Sequence, residues 1–203
     1  ILEQIKDVGA RIAVLAYFGI IVPREVLELF EMGIINIHPS LLPKYRGPSP
    51  IQTAILNGDE ETGVSIMVID SEIDHGQILA EEKYLIDKNK DLITISEELF
   101  ELGAKLLIET LPNYISGKIK PKEQDQNQAT FTKMFHREDG RINWSESDDK
   151  IYNKIRALNP EPGTWTTWKG KVINIFNLTT RGVVRPQVAN LDSKIPGTVS
   201  VTD

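Results

Sequence analysis

Apolar residues near the start of the chain form two short continuous runs separated by an amphipathic stretch. Residues 11–18 and 33–38 are rich in β-branched and aromatic side chains, which is typical of buried strands. Between them, an apolar stripe follows Pro23 and ends at Gly33, which predicts a helix that begins near the proline. The pattern therefore predicts a parallel strand–helix–strand unit, the building block of an α/β sheet.

Further along, strand-like and helix-like patterns alternate. Residues 63–70 and 77–86 predict two more strands. Helices are predicted over residues 49–56 and 91–115, the second by a regular apolar stripe. Residues 118–130 are polar and contain few apolar side chains, which predicts a linker.

The last part of the chain changes character. Residues 147–158 predict a short helix, and residues 165–180 alternate around Gly170 like a β-hairpin. A further short strand is predicted over residues 198–201. The chain thus indicates an α/β body followed by a linker and a smaller, partly β unit.

A polar pair interrupts the second apolar strand at its end. Asn36 and His38 are two residues apart, so their side chains point to the same face of a strand. Ligands bind at the carboxyl ends of strands in open α/β sheets. The pair is therefore a candidate site, and anchoring of the following loop by hydrogen bonds is the alternative. That loop, residues 39–48, contains three prolines, which predicts a rigid, non-repetitive backbone.

An acidic residue in a tight turn is the second candidate. Asp74 stands two residues before Gly76, which lets the backbone bend sharply. A carboxylate that reaches His38 would orient its ring and stabilise its protonated form. Asp70 and Glu72 compete for this role, and capping of the turn's own backbone is the alternative for Asp74.

Other kinds of site find little support in the sequence. The chain has no cysteine, which excludes disulfides, cysteine-ligated zinc and cysteine nucleophiles. Four side chains could in principle bind zinc or iron, namely His38, Asp70, Asp74 and His75. No H-E-x-x-H, G-x-G-x-x-G or P-loop spacing is present, and no apolar run approaches the roughly 20 residues that span a membrane. We therefore expect neither a metal nor a membrane partner.

Charge is distributed unevenly along the chain, whose net charge is −6. Residues 1–102 hold 8 Lys or Arg against 18 Asp or Glu, whereas residues 150–203 hold 8 against 3. This asymmetry suggests that only the basic end meets a polyanion, and a chance imbalance is the alternative. The expected contacts are Lys150, Lys154, Arg156, Lys169 and Lys171, unless these side chains only make the surface soluble.

The candidate residues lie within a motif that resembles a known family. Residues 36–43 and 45–47 (NIHPSLLP and YRG) are similar to the signature of the folate-dependent formyltransferases. Residues 58–66 and 74–79 continue the resemblance in the same order. In that family an Asn, a His and an Asp form the catalytic set, and the resemblance carries these roles to Asn36, His38 and Asp74.

Later motifs resemble one branch of that family. Residues 130–134, 139–144 and 155–160 (TFTKM, DGRINW and IRALNP) are similar to the linker and C-terminal domain of the members that act on methionyl-tRNA. The resemblance implies three parts: a partial Rossmann-like formyltransferase sheet in residues 1–122, a linker in residues 123–141, and the truncated start of an OB-like, β-barrel-like tRNA-binding domain in residues 142–203. It also implies that the opening strand of the sheet precedes Ile1, so the activity is expected of the parent enzyme.

The resemblance implies a reaction and its partners. A cytoplasmic, monomeric enzyme would transfer the formyl group of 10-formyltetrahydrofolate to the α-amine of initiator methionyl-tRNA for translation initiation. The loop residues expected to line the folate pocket are Ser40, Leu41, Leu42 and Pro43. The alternatives are a relative that formylates a sugar-nucleotide amine or hydrolyses formyl-folate, and an inactive piece that only binds folate or RNA.

Overall fold

The computed structural model describes residues 2–16, 19 and 21–176 of the 203-residue chain. The strands in these ranges are β1 (Ala13–Ala16), β2 (Ile34–His38), β3 (Glu61–Val68), β4 (Ile78–Leu85), β5 (Thr164–Trp168) and β6 (Lys171–Ile175). The α-helices are α1 (Leu2–Val8), α2 (Arg24–Leu27), α3 (Pro50–Asn57), α4 (Leu92–Ile115) and α5 (Asp148–Leu158). Of the helices described, none has the length and apolar character that a membrane crossing needs.

A four-stranded sheet in the order β1-β2-β3-β4 forms the centre of the fold. The strands β1 and β2 are parallel and are connected through α2, which confirms the predicted strand–helix–strand unit. The pairs β2–β3 and β3–β4 are antiparallel, so the sheet is mixed. Because β3 runs against β2, the loop after β3 leaves the sheet beside the start of β2, where the Ile69 N–H donates to the Ile34 carbonyl at 2.8 Å.

The long helix α4 covers one face of this sheet. Asp91 caps its first turn by accepting a hydrogen bond from the Thr94 N–H at 2.9 Å. Gly103 allows a close approach, because a Cβ added there would lie 2.6 Å from Cγ2 of Ile37. The main core lies between α4 and the sheet and includes Ile35, Ile37, Val64, Ile66, Ile95 and Leu99.

The first strand is more exposed than its apolar sequence predicts. Burial alternates along β1, and Val14 keeps 42% of its surface exposed. The neighbouring helices α1 and α2 bury none of their residues. The prediction of a buried strand is therefore wrong for β1, which pairs with β2 and with no other strand of the described residues.

Helix α5 joins the α/β body to the C-terminal hairpin. Ala157 and Leu158 belong to the main core, where α5 packs against α3. Its other apolar residues, Ile151 and Ile155, form a smaller core with Ile142. The expected boundary at residue 142 therefore does not separate two independent cores.

The C-terminal hairpin is confirmed over the described part of its predicted range, and residues 177–180 of that range lie outside the described residues. Strands β5 and β6 pair antiparallel, and Lys169 and Gly170 form the two-residue turn with φ of +49° and +76°. Two positive φ values in succession match the right-handed twist of paired strands, and glycine adopts such values without strain. The strand predicted over residues 198–201 lies outside the described residues.

Candidate active site

The face of β2 that turns away from α4 carries the predicted polar pair. Asn36 and His38 share this face, while Ile35 and Ile37 point into the main core. His38 is 4% exposed, and Asn36 is partly exposed. Among the hydrogen bonds of the described residues, none involves the side-chain amide of Asn36, which is therefore available to donate to a ligand.

Asp74 reaches His38 from the loop between β3 and β4. Its Oδ1 lies 3.5 Å from the ring Nδ1 of His38, an ion-pair contact longer than a short hydrogen bond. This loop begins beside the opposite end of β2, so it must fold back across the strand's polar face to reach His38. The contact forms at His38, the last residue of β2, so it lies at the carboxyl end of this strand, where the sequence predicts the site.

The other ring nitrogen of His38 is already engaged. Its Nε2 lies 2.9 Å from the Tyr45 carbonyl oxygen, which can only accept a hydrogen bond. Nε2 must therefore carry a proton and donate. This leaves Nδ1, the atom that faces Asp74, as the nitrogen able to exchange a proton. Proton donation by both nitrogens requires the imidazolium form, in which Nδ1–H faces the Asp74 carboxylate.

Two glycines contribute to the position of Asp74, one by a hydrogen bond to its carboxylate and the other by allowing the tight turn. Its Oδ2 accepts a hydrogen bond from the Gly47 N–H at 2.8 Å, which fixes the carboxylate between the two loops. Asp74 has φ +47° and Gly47 has φ +103°. A Cβ added to Gly76 would lie 1.9 Å from the Val68 carbonyl oxygen, so the turn requires glycine there.

The competing acid Asp70 has other partners. Asp70 Oδ2 lies 2.6 Å from Nδ1 of His75, and its Oδ1 accepts from the Glu72 N–H at 2.9 Å. These contacts hold Asp70 within its own turn. The structure thus selects Asp74 as the acid that pairs with His38. Among the described residues, no three His, Asp or Glu side chains group as a metal site.

The first residues of the loop after β2 are part of the scaffold. Ser40 is buried, and its hydroxyl donates to the Lys44 carbonyl at 2.7 Å. Leu42 is also buried, and its N–H donates to Ser65 Oγ at 3.0 Å. The expectation that these two side chains line a folate pocket is corrected, because neither reaches the surface. Leu41 and Pro43 are partly exposed and stay candidates.

Tyr45 fixes the middle of the same loop. Its hydroxyl donates to Asp59 Oδ2 at 2.6 Å and accepts from Asn57 Nδ2 at 2.8 Å. Burial, together with the hydrogen bond to Asp59, raises the pKa of the Tyr45 hydroxyl. The side chain therefore stays neutral while its backbone carbonyl anchors His38.

The linker after α4 packs against this loop, which its polar composition did not indicate. The Arg46 N–H donates to the Thr130 carbonyl at 2.8 Å, and the Thr132 N–H donates to the Arg46 carbonyl at 2.7 Å. Thr130 Oγ1 accepts from the Tyr45 N–H at 2.9 Å. The alternation Thr-Phe-Thr over residues 130–132 is the signal that could have indicated an extended, paired segment.

Buried Arg156 departs from the expected polyanion surface. It is 3% exposed, and its guanidinium donates to the Lys90 carbonyl at 3.1 Å and to Asn153 Oδ1 at 2.9 Å. Burial lowers the pKa of this guanidinium. Arg156 therefore joins α5 to the α/β body, and the expectation that it touches phosphates is corrected.

The four lysines differ in availability. Lys150, Lys169 and Lys171 are exposed, the last two beside the hairpin turn. Lys154 lies 3.6 Å from a carboxylate oxygen of Glu146, so its charge is partly compensated. The structure thus leaves three of the five predicted basic residues exposed at the surface, although the ammonium of Lys169 lies 4.4 Å from the centre of the Trp168 ring.

Family models match both parts of the chain. The model described as "Formyl transferase" covers residues 1–111, and "Formyl transferase, C-terminal domain" covers residues 135–202. The chain belongs to the formyl transferase family. This membership confirms the resemblance carried by the motif around Asn36 and His38, and with it the fold class of a formyltransferase sheet followed by a C-terminal domain.

Named relatives within the family are similar over most of the chain. The methionyl-tRNA formyltransferase of Roseiflexus castenholzii is 46% identical over 178 residues, which are 88% of this chain and 57% of the relative. That of Chloroflexus aurantiacus is 40% identical over 200 residues, which are 98% of this chain and 62% of the relative. The chain thus spans about three fifths of the length of these relatives.

Solved structures of other proteins share the fold at lower identity. HypX from Aquifex aeolicus in complex with tetrahydrofolic acid has a TM-score of 0.76 at 22% identity, covering 87% of this chain and 30% of that one. The methionyl-tRNA formyltransferase from Clostridium thermocellum has a TM-score of 0.67 at 23% identity, covering 86% and 80%. At this identity the likeness supports the fold alone.

Proposed function

We propose that the protein containing this chain transfers the formyl group of 10-formyltetrahydrofolate to the α-amine of initiator methionyl-tRNA. The observation that carries the proposal is the contact of His38 Nδ1 with Asp74, beside the amide of Asn36 on the same strand face, which has no hydrogen-bond partner among the described residues. The relatives at 46% and 40% identity, both named methionyl-tRNA formyltransferase, support the choice of acceptor.

The chemistry needs a hydrogen-bond donor and a proton carrier. The amine attacks the formyl carbon, a C–N bond forms, and the carbonyl oxygen becomes an oxyanion on a tetrahedral carbon. The bond from that carbon to N10 of the folate then breaks, which gives formylmethionyl-tRNA and tetrahydrofolate. One proton must leave the amine, and one must reach N10.

Asn36 and His38 divide these tasks. The free amide of Asn36 donates to the oxyanion, where a donor strengthens as negative charge develops. His38 Nδ1 takes the proton of the amine, because Nε2 is fixed on the Tyr45 carbonyl. Asp74 stabilises the resulting imidazolium, which returns the proton to N10 as that nitrogen leaves.

Different exposed residues are proposed to contact the two substrates. Leu41 and Pro43, the partly exposed residues of the loop after β2, are proposed to contact the folate. Lys150, Lys169 and Lys171 are proposed to contact tRNA phosphates, since all three are exposed on the C-terminal part. Such contacts provide affinity without reading base sequence.

A competition between acceptors tests the proposal. The complete protein is incubated with 10-formyltetrahydrofolate and equal concentrations of methionyl-tRNA and an amino-sugar nucleotide, and both products are measured. We expect formylmethionyl-tRNA as the main product. Formylation of the sugar alone would overturn the choice of acceptor, and release of formate without either product would indicate a hydrolase.

A further inference from the structure

A buried arginine of the loop after β2 has no carboxylate partner among the described residues. Arg46 is 3% exposed, and among the ion pairs of the described residues none involves it. Its Nε and Nη2 donate to Oε1 of Gln124 at 3.1 and 2.6 Å, and Nη2 also donates to Oε1 of Gln126 at 2.8 Å. Two neutral amide oxygens therefore compensate a buried positive charge, an arrangement that costs free energy unless the geometry is well satisfied.

The guanidinium fixes the orientation of the Gln124 amide. Gln124 is 5% exposed, and a guanidinium only donates, so the amide oxygen must face Arg46. The NH₂ group then points to the opposite side. There it donates to the Asp74 carbonyl at 2.9 Å and to the Gly76 carbonyl at 2.7 Å. One side chain thus links the buried charge to both ends of the catalytic turn.

The turn held in this way has an unfavourable backbone conformation. Asp74 has φ +47°, which only glycine adopts freely, although Asp tolerates it better than most residues. Such conformations persist where surrounding contacts determine them. The Asp74 carboxylate contacts Gly47 and His38. Among the hydrogen bonds of the described residues, Gln124 is the only side chain that bonds to the backbone of the turn of residues 74–76.

We propose that Gln124 is a positioning residue for catalysis. Oriented by Arg46, its NH₂ group holds the turn of residues 74–76 so that the Asp74 carboxylate stays at Nδ1 of His38. The inference rests on the proposed function, because it assigns Gln124 a part in the same reaction. The contact that it predicts can nevertheless be measured without turnover.

Gln124→Glu separates the two sides of the amide. A glutamate keeps the shape and pairs with Arg46 at least as well, but it presents oxygens where the carbonyls of Asp74 and Gly76 need donors. Gln126→Glu is the matched control, because it adds the same charge against the same guanidinium and its side chain does not contact the turn. A difference between the two variants therefore reports the turn and not the charge.

The first measurement is ¹⁵N NMR of histidine-labelled protein. The chain has three histidines, and His38→Gln identifies the ring signals of His38. We expect the Nδ1 signal of His38 to move in Gln124→Glu and to stay in place in Gln126→Glu, with the His136 signals unchanged in both. An unchanged His38 signal in Gln124→Glu would overturn the proposal, because Asp74 would still be in position.

The second measurement is steady-state kinetics of the complete protein. We expect Gln124→Glu to lower kcat by about 10- to 100-fold, the size of effect that a small misplacement of reacting groups produces, with KM for 10-formyltetrahydrofolate within about twofold. An unchanged kcat would overturn the proposal. If the His38 signal moves in Gln124→Glu but the wild-type protein transfers no formyl group, the proposed function is rejected. The contact between Gln124 and the turn of residues 74–76 is then still supported.

A second variant covers the case in which Gln124→Glu does not fold. Arg46→Met combined with Gln124→Met removes the buried charge and the amide together and replaces both with apolar side chains of similar length. The same displacement of the His38 Nδ1 signal and the same loss of kcat are expected. A double variant with native ring signals and native kcat would contradict the positioning role.

Discussion

Oδ1 of Asp74 lies 3.5 Å from Nδ1 of His38 although the loop of Asp74 begins beside the opposite end of strand β2. The loop returns across the strand, and its turn is held by Gly47 on one side and by Gln124 on the other. His38 is held on its far side by the Tyr45 carbonyl. Both members of the pair are therefore fixed by groups outside it, an arrangement suited to a preorganised site.

Asp74→Asn removes the charge and retains the shape. Asparagine tolerates positive φ, and its amide oxygen still accepts from the Gly47 N–H, so we expect little change in thermal stability. The imidazolium of His38 loses its counter-charge, and we expect kcat to fall by about 100-fold or more. The check is steady-state formyl transfer by the complete protein.

Asp70→Asn is the matched control in the same loop. Asp70 pairs with His75 and does not contact His38, so its loss should change kcat by less than about threefold, in line with a surface pair of small energetic value. Equal losses of kcat in Asp74→Asn and Asp70→Asn would show that any change of charge in this loop impairs the reaction. Asp74 would then have no specific role as the partner of His38.

Gly76→Ala should displace the turn that carries Asp74. The new Cβ would lie 1.9 Å from the Val68 carbonyl oxygen, which is backbone and cannot rotate away. We expect a loss of stability of about 1–3 kcal/mol, the usual cost of overpacking, measured as a lower melting temperature. Gly19→Ala is the control, since its Cβ would meet nothing within 4 Å. Equal melting temperatures for Gly76→Ala and wild type would show that the backbone of the turn can move to accept the new Cβ without loss of stability.

The elements of the fold follow closely from local patterns. The unit β1–α2–β2 and the hairpin β5–β6 are both predicted, because apolar runs and a Lys-Gly turn are local signals. The antiparallel pairing of β3 with β2 is not local, and it decides which loop reaches His38. The sequence pattern predicts that His38 and Asp74 form a pair, but it does not predict on which face of the sheet they meet.

The scaffold behind the site could not be predicted from local patterns. Gln124 and Thr130 lie in a polar segment whose composition indicates a linker, and only contacts with Arg46 and Tyr45 make it part of the site. Arg156 likewise looks like a surface cation until α5 packs against α3. Burial of a polar side chain depends on which elements meet, and sequence spacing does not state this.

The exposed lysines of the C-terminal part should contribute to tRNA binding through phosphates. Replacing Lys150, Lys169 and Lys171 with Gln in the complete protein should weaken tRNA binding. For every lysine that pairs with a phosphate, its replacement should flatten the log–log salt slope of binding by about 0.7–0.9. Folate affinity should not change.

The matched control removes the same charge elsewhere. Lys88, Lys118 and Lys120 are exposed on the α/β body and its linker, and their replacement by Gln gives the same net charge. An identical effect of both triple variants would mean that net charge alone matters. An unchanged salt slope in the variant of Lys150, Lys169 and Lys171 would show that these lysines are only solvated and do not contact tRNA phosphates.

Formyl transfer should not depend on a metal ion. The described residues show no grouping of three potential ligands, and the proposed steps use only an amide, an imidazole and a carboxylate. Dialysis of the complete protein against a chelator should leave kcat unchanged. Activity that disappears on dialysis and returns with zinc or iron would contradict this mechanism.

The single-turnover rate of formyl transfer to methionyl-tRNA tests the central role of His38 most directly. The rate is compared between the wild-type complete protein, His38→Ala and the control His75→Ala, each saturated with 10-formyltetrahydrofolate. We expect a rate about 10²–10⁴ lower for His38→Ala, the size of a combined proton-transfer and charge-stabilising contribution, with near-normal folate affinity and a near-normal rate for His75→Ala. A near-normal rate for His38→Ala would contradict the role of His38 as the proton carrier.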